Sequence, residues 1–462
     1  MTRSRLVGLF LGIGLAGVTM VLPLPGLGME GRKALALTLM TVTFWAFQVA
    51  HSGFVAGLFL MLLIILGVST PKVVLNPLVG SSTFLIIGAY LLAAAVRSSC
   101  LGERIAYAIM LRFVSSYRSL ILAIFLLSFV LSLLIPHAWP RSFLMMSVML
   151  VMIRTAGIGK QDAKQIGFAV FASTVPISMI FLTGASVTNP LALHYAQVNL
   201  GWFGWLKVMG LPALLTSVLT LGLFLLIFRQ NEPIHFDTVA IRRLYKELGP
   251  LSVKEKRILI WLGIAIIGWF TDSIHGIDIG WITFLIAVLM SFPLIGEVLE
   301  GHHWKEVPLN IILYIAAAIA IGTVGSETGM SAFIAGSLLP TKVPTNPYIL
   351  ALVVTTFTLL VHMALGSVLS GMGVTIPALL AFTSVLGNVN PLVISLWAYT
   401  VVGSHFILPF HHTNILVGVG EENGLYCQKE TMRLGFPLIA VVYFITVLVQ
   451  TSWWQLLGVF YI

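Results

Sequence analysis

Charge is what this chain has least of. Asp, Glu, Lys and Arg make up 9% of its 462 residues against 58% hydrophobic residues, and the mean hydropathy is +1.03. Soluble domains are about one quarter charged, so a soluble enzyme or binding module is excluded and a polytopic α-helical membrane protein is implied. Cysteine is almost missing: Cys100 and Cys427 are the only two, which excludes a disulfide framework and any cysteine-based metal cluster. The sequence has no Walker loop, GxSxG elbow or HExxH helix, so the common catalytic motifs are absent. Acidic residues are the scarcer sign, 16 against 25 Lys and Arg. A net charge of +9 fits basic residues gathered in cytoplasmic loops and needs no nucleic-acid partner. Asp272, Asp278, Glu297, Glu300, Glu306, Glu327, Glu421 and Glu422 fall in predicted loops, which argues against a carboxylate proton relay across the membrane.

Against this apolar background two polar interruptions stand out. The first is Thr183-Gly184-Ala185-Ser186-Val187-Thr188-Asn189-Pro190, inside an apolar stretch over 165–200. Gly184 loosens the helix; Pro190 lacks a donor and biases Asn189 away from the α region. The second is Leu408-Pro409-Phe410-His411-His412-Thr413-Asn414, within 391–420. Asn189 and Asn414 occupy matching places in the two halves of the chain. Lipid cannot satisfy an unwound backbone, so such breaks line a protein cavity, and a matched pair in two halves marks a transporter binding site.

Taken in order, spans are expected near 5–25, 33–50, 52–69 and 80–96, then an interfacial amphipathic helix over 97–118. Apolar stretches flank Pro136-His137-Ala138-Trp139-Pro140-Arg141; two prolines cannot sit in one straight helix, so 119–157 reads as a re-entrant hairpin with 136–141 as its tip. A span near 205–228 follows the first break. Residues 229–257 form the longest polar stretch and are rich in Lys and Arg, which with Arg3 and Arg5 places it and the N-terminus in the cytoplasm. The second half repeats the plan: spans near 257–271, 279–296 and 308–326, a hairpin over 347–386 with its tip at 365–373, the second break, and a last span near 433–456. The expected organisation is an extra span (1–30), a first repeat (31–228), a cytoplasmic linker (229–257) and a second repeat (258–462). The fold class expected is all-α, with about 11 spans plus two hairpins in two inverted repeats.

These motifs resemble the divalent anion/sodium symporter family, with its 2-oxoglutarate/malate and citrate/succinate exchangers nearest. Thr183 to Leu191 is similar to that family's Thr-Ala-Met-Ala-x-Asn-Pro-Leu, and Leu408-Pro409 to Asn414 is similar to its second break. Pro136 and Arg141 fit the first hairpin tip, where the family's Ser-Asn-Thr is replaced by His137-Ala138-Trp139; at the second tip Ser367, Ser370 and Thr375 stand among glycines. The resemblance implies that tips and breaks enclose a small organic anion, a di- or tricarboxylate, carried by alternating access in a homodimer within the plasma membrane. An anion channel or membrane-embedded enzyme is the competing class.

The substrate-site candidates are His137, Arg141, Thr183, Ser186, Thr188, Asn189, Ser367, Ser370, His411, His412, Thr413 and Asn414. A guanidinium matches a carboxylate at two points, and burying it at membrane depth demands a partner; snorkelling is its ordinary alternative. The asparagines serve as helix caps in the plain reading and as site residues in the functional one. Any one histidine is ordinarily a neutral ring bonded to a helix end; the group at opposed breaks points to function. His51 and His362, inside apolar runs, read as structural. Sodium prefers oxygen ligands, and the substituted tip offers few. Sodium-independent exchange, or uptake linked to a proton through a histidine, is therefore expected. Sodium held at Asn189, Asn414 and nearby backbone is the alternative, and no other cofactor is expected.

Overall fold

In the computed structural model, residues 3–230, 238–340, 342–408, 411, 412, 415, 418 and 426–461 are described. Apart from one isolated bridge between Val389 and Tyr461, the described secondary structure is helical. Helices α1 (Arg3–Val21), α2 (Met29–Ala46), α3 (Ser52–Ile65) and α4 (Pro71–Leu75) come first. Then follow α5 (Ser81–Ser98), α6 (Leu101–Phe113), α7 (Tyr117–Leu134), α8 (Ala138–Thr155), α9 (Lys160–Ile177), α10 (Thr188–Ala196) and α11 (Gly201–Ile227). After the linker helix α12 (Thr238–Glu247), the second half holds α13 (Val253–Phe270), α14 (Asp272–His275), α15 (Ile279–Leu289), α16 (Leu309–Glu327) and α17 (Met330–Leu338). It ends with α18 (Pro347–Leu365), α19 (Val368–Thr383), α20 (Pro391–Ser404), α21 (Gln428–Tyr443) and α22 (Thr451–Leu456).

The helices repeat at a nearly constant offset. The first residue of α5, Ser81, pairs with Leu309 of α16; Tyr117 of α7 pairs with Pro347 of α18, Ala138 of α8 with Val368 of α19, and Lys160 of α9 with Pro391 of α20. The two halves are interleaved. First-half α5 packs on second-half α15, and second-half α16 packs on first-half α3. Both crossings depend on a missing side chain: a Cβ on Gly53 would sit 2.8 Å from Asn310 Cα, and one on its counterpart Gly280 would collide with the Ser81 carbonyl. Small residues permit this backbone approach where lipid gives no hydrophobic drive.

Among the described residues six helical stretches are long and apolar enough to cross a membrane: Pro71–Ser98, Tyr117–Leu134, Gly201–Ile227, Leu309–Glu327, Pro347–Leu365 and Gln428–Leu456. Ser52–Ile65, Ile279–Leu289, Val368–Thr383 and Pro391–Ser404 are apolar but shorter. The full-length spans expected over 52–69 and 279–296 are thus shorter helices, the first running on into turns and α4, the second into a turn where Leu294 and Glu297 take positive φ.

Both hairpin tips are tighter than the sequence suggests. The first turn covers Ile135 to His137, and Pro140 and Arg141 lie in the first turn of α8, where a missing N–H costs nothing. The second turn is only Gly366-Ser367, with Gly366 at φ +65; Leu369 to Gly373 are already helical. The first break begins earlier than Thr183, at Ser178, and Asn189-Pro190 belong to α10. The linker is not only loop: α12 packs on α6, with Ile241 buried. Arg104 of α6 donates to Glu255 at 2.6 Å and to the Gly249 carbonyl at 2.9 Å.

Candidate functional site: two hairpin tips facing two breaks

The first junction is built around Arg141. Its side chain is wholly buried. One guanidinium nitrogen donates to the Ile135 carbonyl at the hairpin tip and to the Gly184 carbonyl in the break, both at 3.3 Å; the other donates to Ser178 Oγ at 2.6 Å. A backbone bond reinforces the tie, with Ser186 N–H donating to the Pro136 carbonyl at 3.2 Å. No acidic side chain forms an ion pair with Arg141 among the described residues. The two terminal nitrogens are met by carbonyls and a hydroxyl, while the buried Nε has no partner among the described residues; the positive charge stays uncancelled, a setting that favours an anion nearby.

Asn189 organises the unwound stretch. Its amide nitrogen donates to the carbonyls of Ser178 and Phe181 at 2.9 Å and of Leu182 at 3.2 Å, and its oxygen accepts from Tyr399 of α20. Thr188 Oγ1 lies 3.1 Å from the same Tyr399 hydroxyl. Thr183 accepts from the Trp202 indole at 3.2 Å. Ser186 is fully buried and its hydroxyl has no partner. Leaving a buried polar group unmet costs about 1–3 kcal/mol, so Ser186 Oγ and Arg141 Nε are the open polar atoms described at this junction.

At the second junction the tip residue is Ser367, which caps α19. Tyr314 of α16 places its hydroxyl 2.6 Å from Ser367 Oγ and 3.3 Å from Ser370 Oγ. The first tip has a parallel: Tyr90 of α5 lies over His137, rings 4.7 Å apart, with its hydroxyl 3.5 Å from Nε2. His137 meanwhile caps α8 by accepting from Trp139 N–H at 3.1 Å. Each crossing helix thus supplies a tyrosine to the tip of its own hairpin.

The second break is lined by imidazoles. His362 on α18, His405 at the end of α20, and His411 bring ring nitrogens within 4.8 Å of one another. His411 Nδ1 accepts from Ile407 N–H at 3.0 Å, holding the chain leaving α20. His412 packs near Phe171 of the first half, 6.2 Å between rings. Thr413 and Asn414, and Pro409 beside them, lie outside the described residues. The structure therefore gathers Arg141, Ser186, Thr183 and Asn189 at one junction and Ser367, Ser370 and His411 at the other, with Thr188 and Tyr399 joining the first break to α20. The sequence reading passes over Tyr90, Tyr314, Tyr399, Ser178 and His405, and it takes His362 as structural. Only the contiguity of Ser178 with the break is a local signal.

Comparison with known proteins extends over the whole chain. Residues 3–460 match the family profile described as the sodium:sulfate symporter transmembrane region. A membrane protein of Cupriavidus necator is 25% identical, covering 98% of this chain and 93% of its own. The sodium-dependent dicarboxylate transporter SdcS of Staphylococcus saprophyticus is 23% identical, covering 96% of this chain and 91% of its own. The inner membrane protein YbhI of Escherichia coli is 26% identical over about half of each chain, 51% and 50%.

Proposed function

Since the chain belongs to the sodium:sulfate symporter family, a family of transporters and not enzymes, we propose that it carries small organic di- or tricarboxylates between its two hairpin–break junctions. The observation that carries this reading is Arg141, a buried cation that ties the first hairpin tip to the first break. The dicarboxylate named for the Staphylococcus relative supports the substrate class.

The coupling follows from the same residue. A sodium ion at the first junction would need oxygen ligands from tip and break. Here the Ile135 and Gly184 carbonyls and the Ser178 hydroxyl already receive the guanidinium. A tethered cation in that place removes the need for a mobile one and favours exchange of one anion for another. A second reading, sodium-coupled symport, is favoured by the printed name of the same relative. We place residues 229–257 and the N-terminus in the cytoplasm, the two repeats in opposite orientation, and the chain in a homodimer. Proteoliposomes loaded with unlabelled succinate, malate, citrate or sulfate and given labelled succinate in sodium-free buffer test the proposal. Counterflow driven by internal dicarboxylate is the expected outcome. Uptake that is absent without sodium and saturates with it would overturn the exchange reading, and conductance without counterflow would overturn the carrier reading.

A further inference from the structure

The histidine cluster at the second junction is not explained by carriage of an anion. His362 and His405 are fully buried. His362 Nδ1 and both ring nitrogens of His405 have no hydrogen-bond partner. The rings of His362 and His411 are 4.6 Å apart, those of His405 and His411 5.5 Å, and those of His362 and His405 5.8 Å. On the α19 side a Cβ on Gly371 would meet His362 Nδ1 at 3.3 Å, so a residue without a side chain leaves that atom uncovered. Two stretches remote in sequence, the end of α18 and the chain running from the end of α20 into the break, thus converge three imidazoles on one small space.

We propose that His362, His405 and His411 form a transition-metal site that takes Zn²⁺, Co²⁺ or Cu²⁺. Imidazole suits these borderline ions, whereas magnesium and calcium want oxygen. Three histidines with an open fourth position is a recurrent zinc geometry, and one nitrogen from each ring lies within 4.8 Å of the others. The triad contains no carboxylate or thiolate, so the ligands leave both positive charges of the metal in place. The fourth position therefore takes an anion, and on the reading that this junction faces a dicarboxylate, the metal's anionic partner is the carried carboxylate. His411 accepts from the Ile407 and Leu408 N–H groups at Nδ1; as a neutral ligand it keeps one ring proton, so it coordinates through Nδ1 in place of those bonds or through Nε2 after the proton moves to Nδ1.

The full-length protein without a histidine tag, in detergent, is titrated with CoCl₂ alone and the metal counted per chain after gel filtration. One Co²⁺ per chain with the intense visible absorption of four-coordinate cobalt is expected, and Zn²⁺ should bleach it. His405→Ala should weaken binding by at least about tenfold, since loss even of a supporting group costs about 10–100-fold, while His51→Ala at the start of α3 should leave it unchanged. Gly371→Ala, which crowds His362 Nδ1 without removing a ligand, should also weaken it. Absence of stoichiometric cobalt in the parent overturns the proposal, as does equal binding by the His405→Ala protein. Succinate should shift the cobalt spectrum. Binding of cobalt with no such shift would remove the carboxylate partner and leave the metal site, and loss of succinate transport alone would speak only to the function proposed above.

Discussion

The two junctions share a backbone plan and differ in what fills it. The offset that relates the helices of the two halves sets Arg141 against Gly371, Ser132 against His362 and Thr174 against His405. In the first half the hydroxyls are satisfied within their own helices, Ser132 on the Phe129 carbonyl at 2.7 Å and Thr174 on the Phe171 carbonyl at 2.9 Å, and a single arginine supplies the charge. In the second half a glycine takes the arginine's place and imidazoles replace the hydroxyls, with ring nitrogens of His362 and His405 left open. A repeated fold therefore fixes where polar groups gather and leaves their chemistry free: one junction carries a permanent cation, the other a set of neutral ligands.

Removing the permanent cation is the most damaging way to break that contrast. Arg141→Ala strips a donor from the Gly184 carbonyl, from Ser178 Oγ and from the Ile135 carbonyl, which keeps the His137 N–H, and each buried acceptor left unmet costs about 1–3 kcal/mol. Uptake should fall to background and the thermal midpoint in detergent should drop by several degrees. Arg141→Lys should recover part of the stability, because one ammonium cannot span three acceptors in the arginine's geometry. Wild-type uptake by Arg141→Ala would mean that the charge has no part in transport.

Next in size is the asparagine. Asn189→Leu keeps the volume and loses three donor contacts and the acceptor for Tyr399; a loss of about 2–4 kcal/mol follows from the same cost for buried carbonyls. Tyr399→Phe removes only the hydroxyl shared by Asn189 and Thr188 and should cost about 1 kcal/mol, the usual value of one hydrogen bond. Thermal denaturation of the two variants side by side measures the ratio. Equal effects would show that Asn189 acts only through Tyr399.

The tyrosines at the tips sharpen the comparison further. Tyr314→Phe breaks a 2.6 Å contact with Ser367 and should lower stability by about 1 kcal/mol. Tyr90→Phe gives up only a 3.5 Å contact with His137, near the limit of a hydrogen bond. Its stability should stay close to the parent's, as for a substitution that breaks no specific interaction.

These tertiary partners mark the boundary of what the sequence makes legible. Hairpins and breaks are readable because proline and glycine act locally: Pro136, Gly184 and Gly366 stand where the chain turns or unwinds, and Pro190 stands in the first turn of the helix that follows the break. Tip lengths read too long from sequence because Pro140 sits where a helix tolerates it. Tyr90, Tyr314, Tyr399, His362 and His405 carry no local signal. Each lies in an apolar run and acquires meaning only when a segment from elsewhere in the chain meets it, as α16 meets the second hairpin and α20 meets the first break. The repeat offset predicts that the halves match, yet not that α5 and α16 cross into the opposite half, since a crossing needs only a glycine at the contact.

The smallest predicted effect concerns the outer scaffold, where the halves differ by one carboxylate. Lys33, at the start of α2, donates to the Leu66 carbonyl at 2.9 Å. Its counterpart Arg257, at the start of α13, donates to the Gly296 carbonyl at 3.3 Å and also to Glu297 at 2.5 Å. The Arg257 hydrogen bond, helped by the Leu294 N–H, holds the Glu297 carboxyl below its ordinary value. A carboxyl depressed in the folded state adds stability above its unfolded pKa of about 4.3, and that stability fades as the pH falls through the folded value. The second half should therefore carry a pH-dependent clamp that the first half lacks. The thermal midpoint of Glu297→Gln should lie slightly below the parent at neutral pH, and the gap should close once the pH falls below the folded value. Lys33→Gln should lower the midpoint by the same small amount at both pH values. A Glu297→Gln gap that persists unchanged into acid would show that the carboxylate charge contributes nothing, and that the two scaffolds differ in sequence alone.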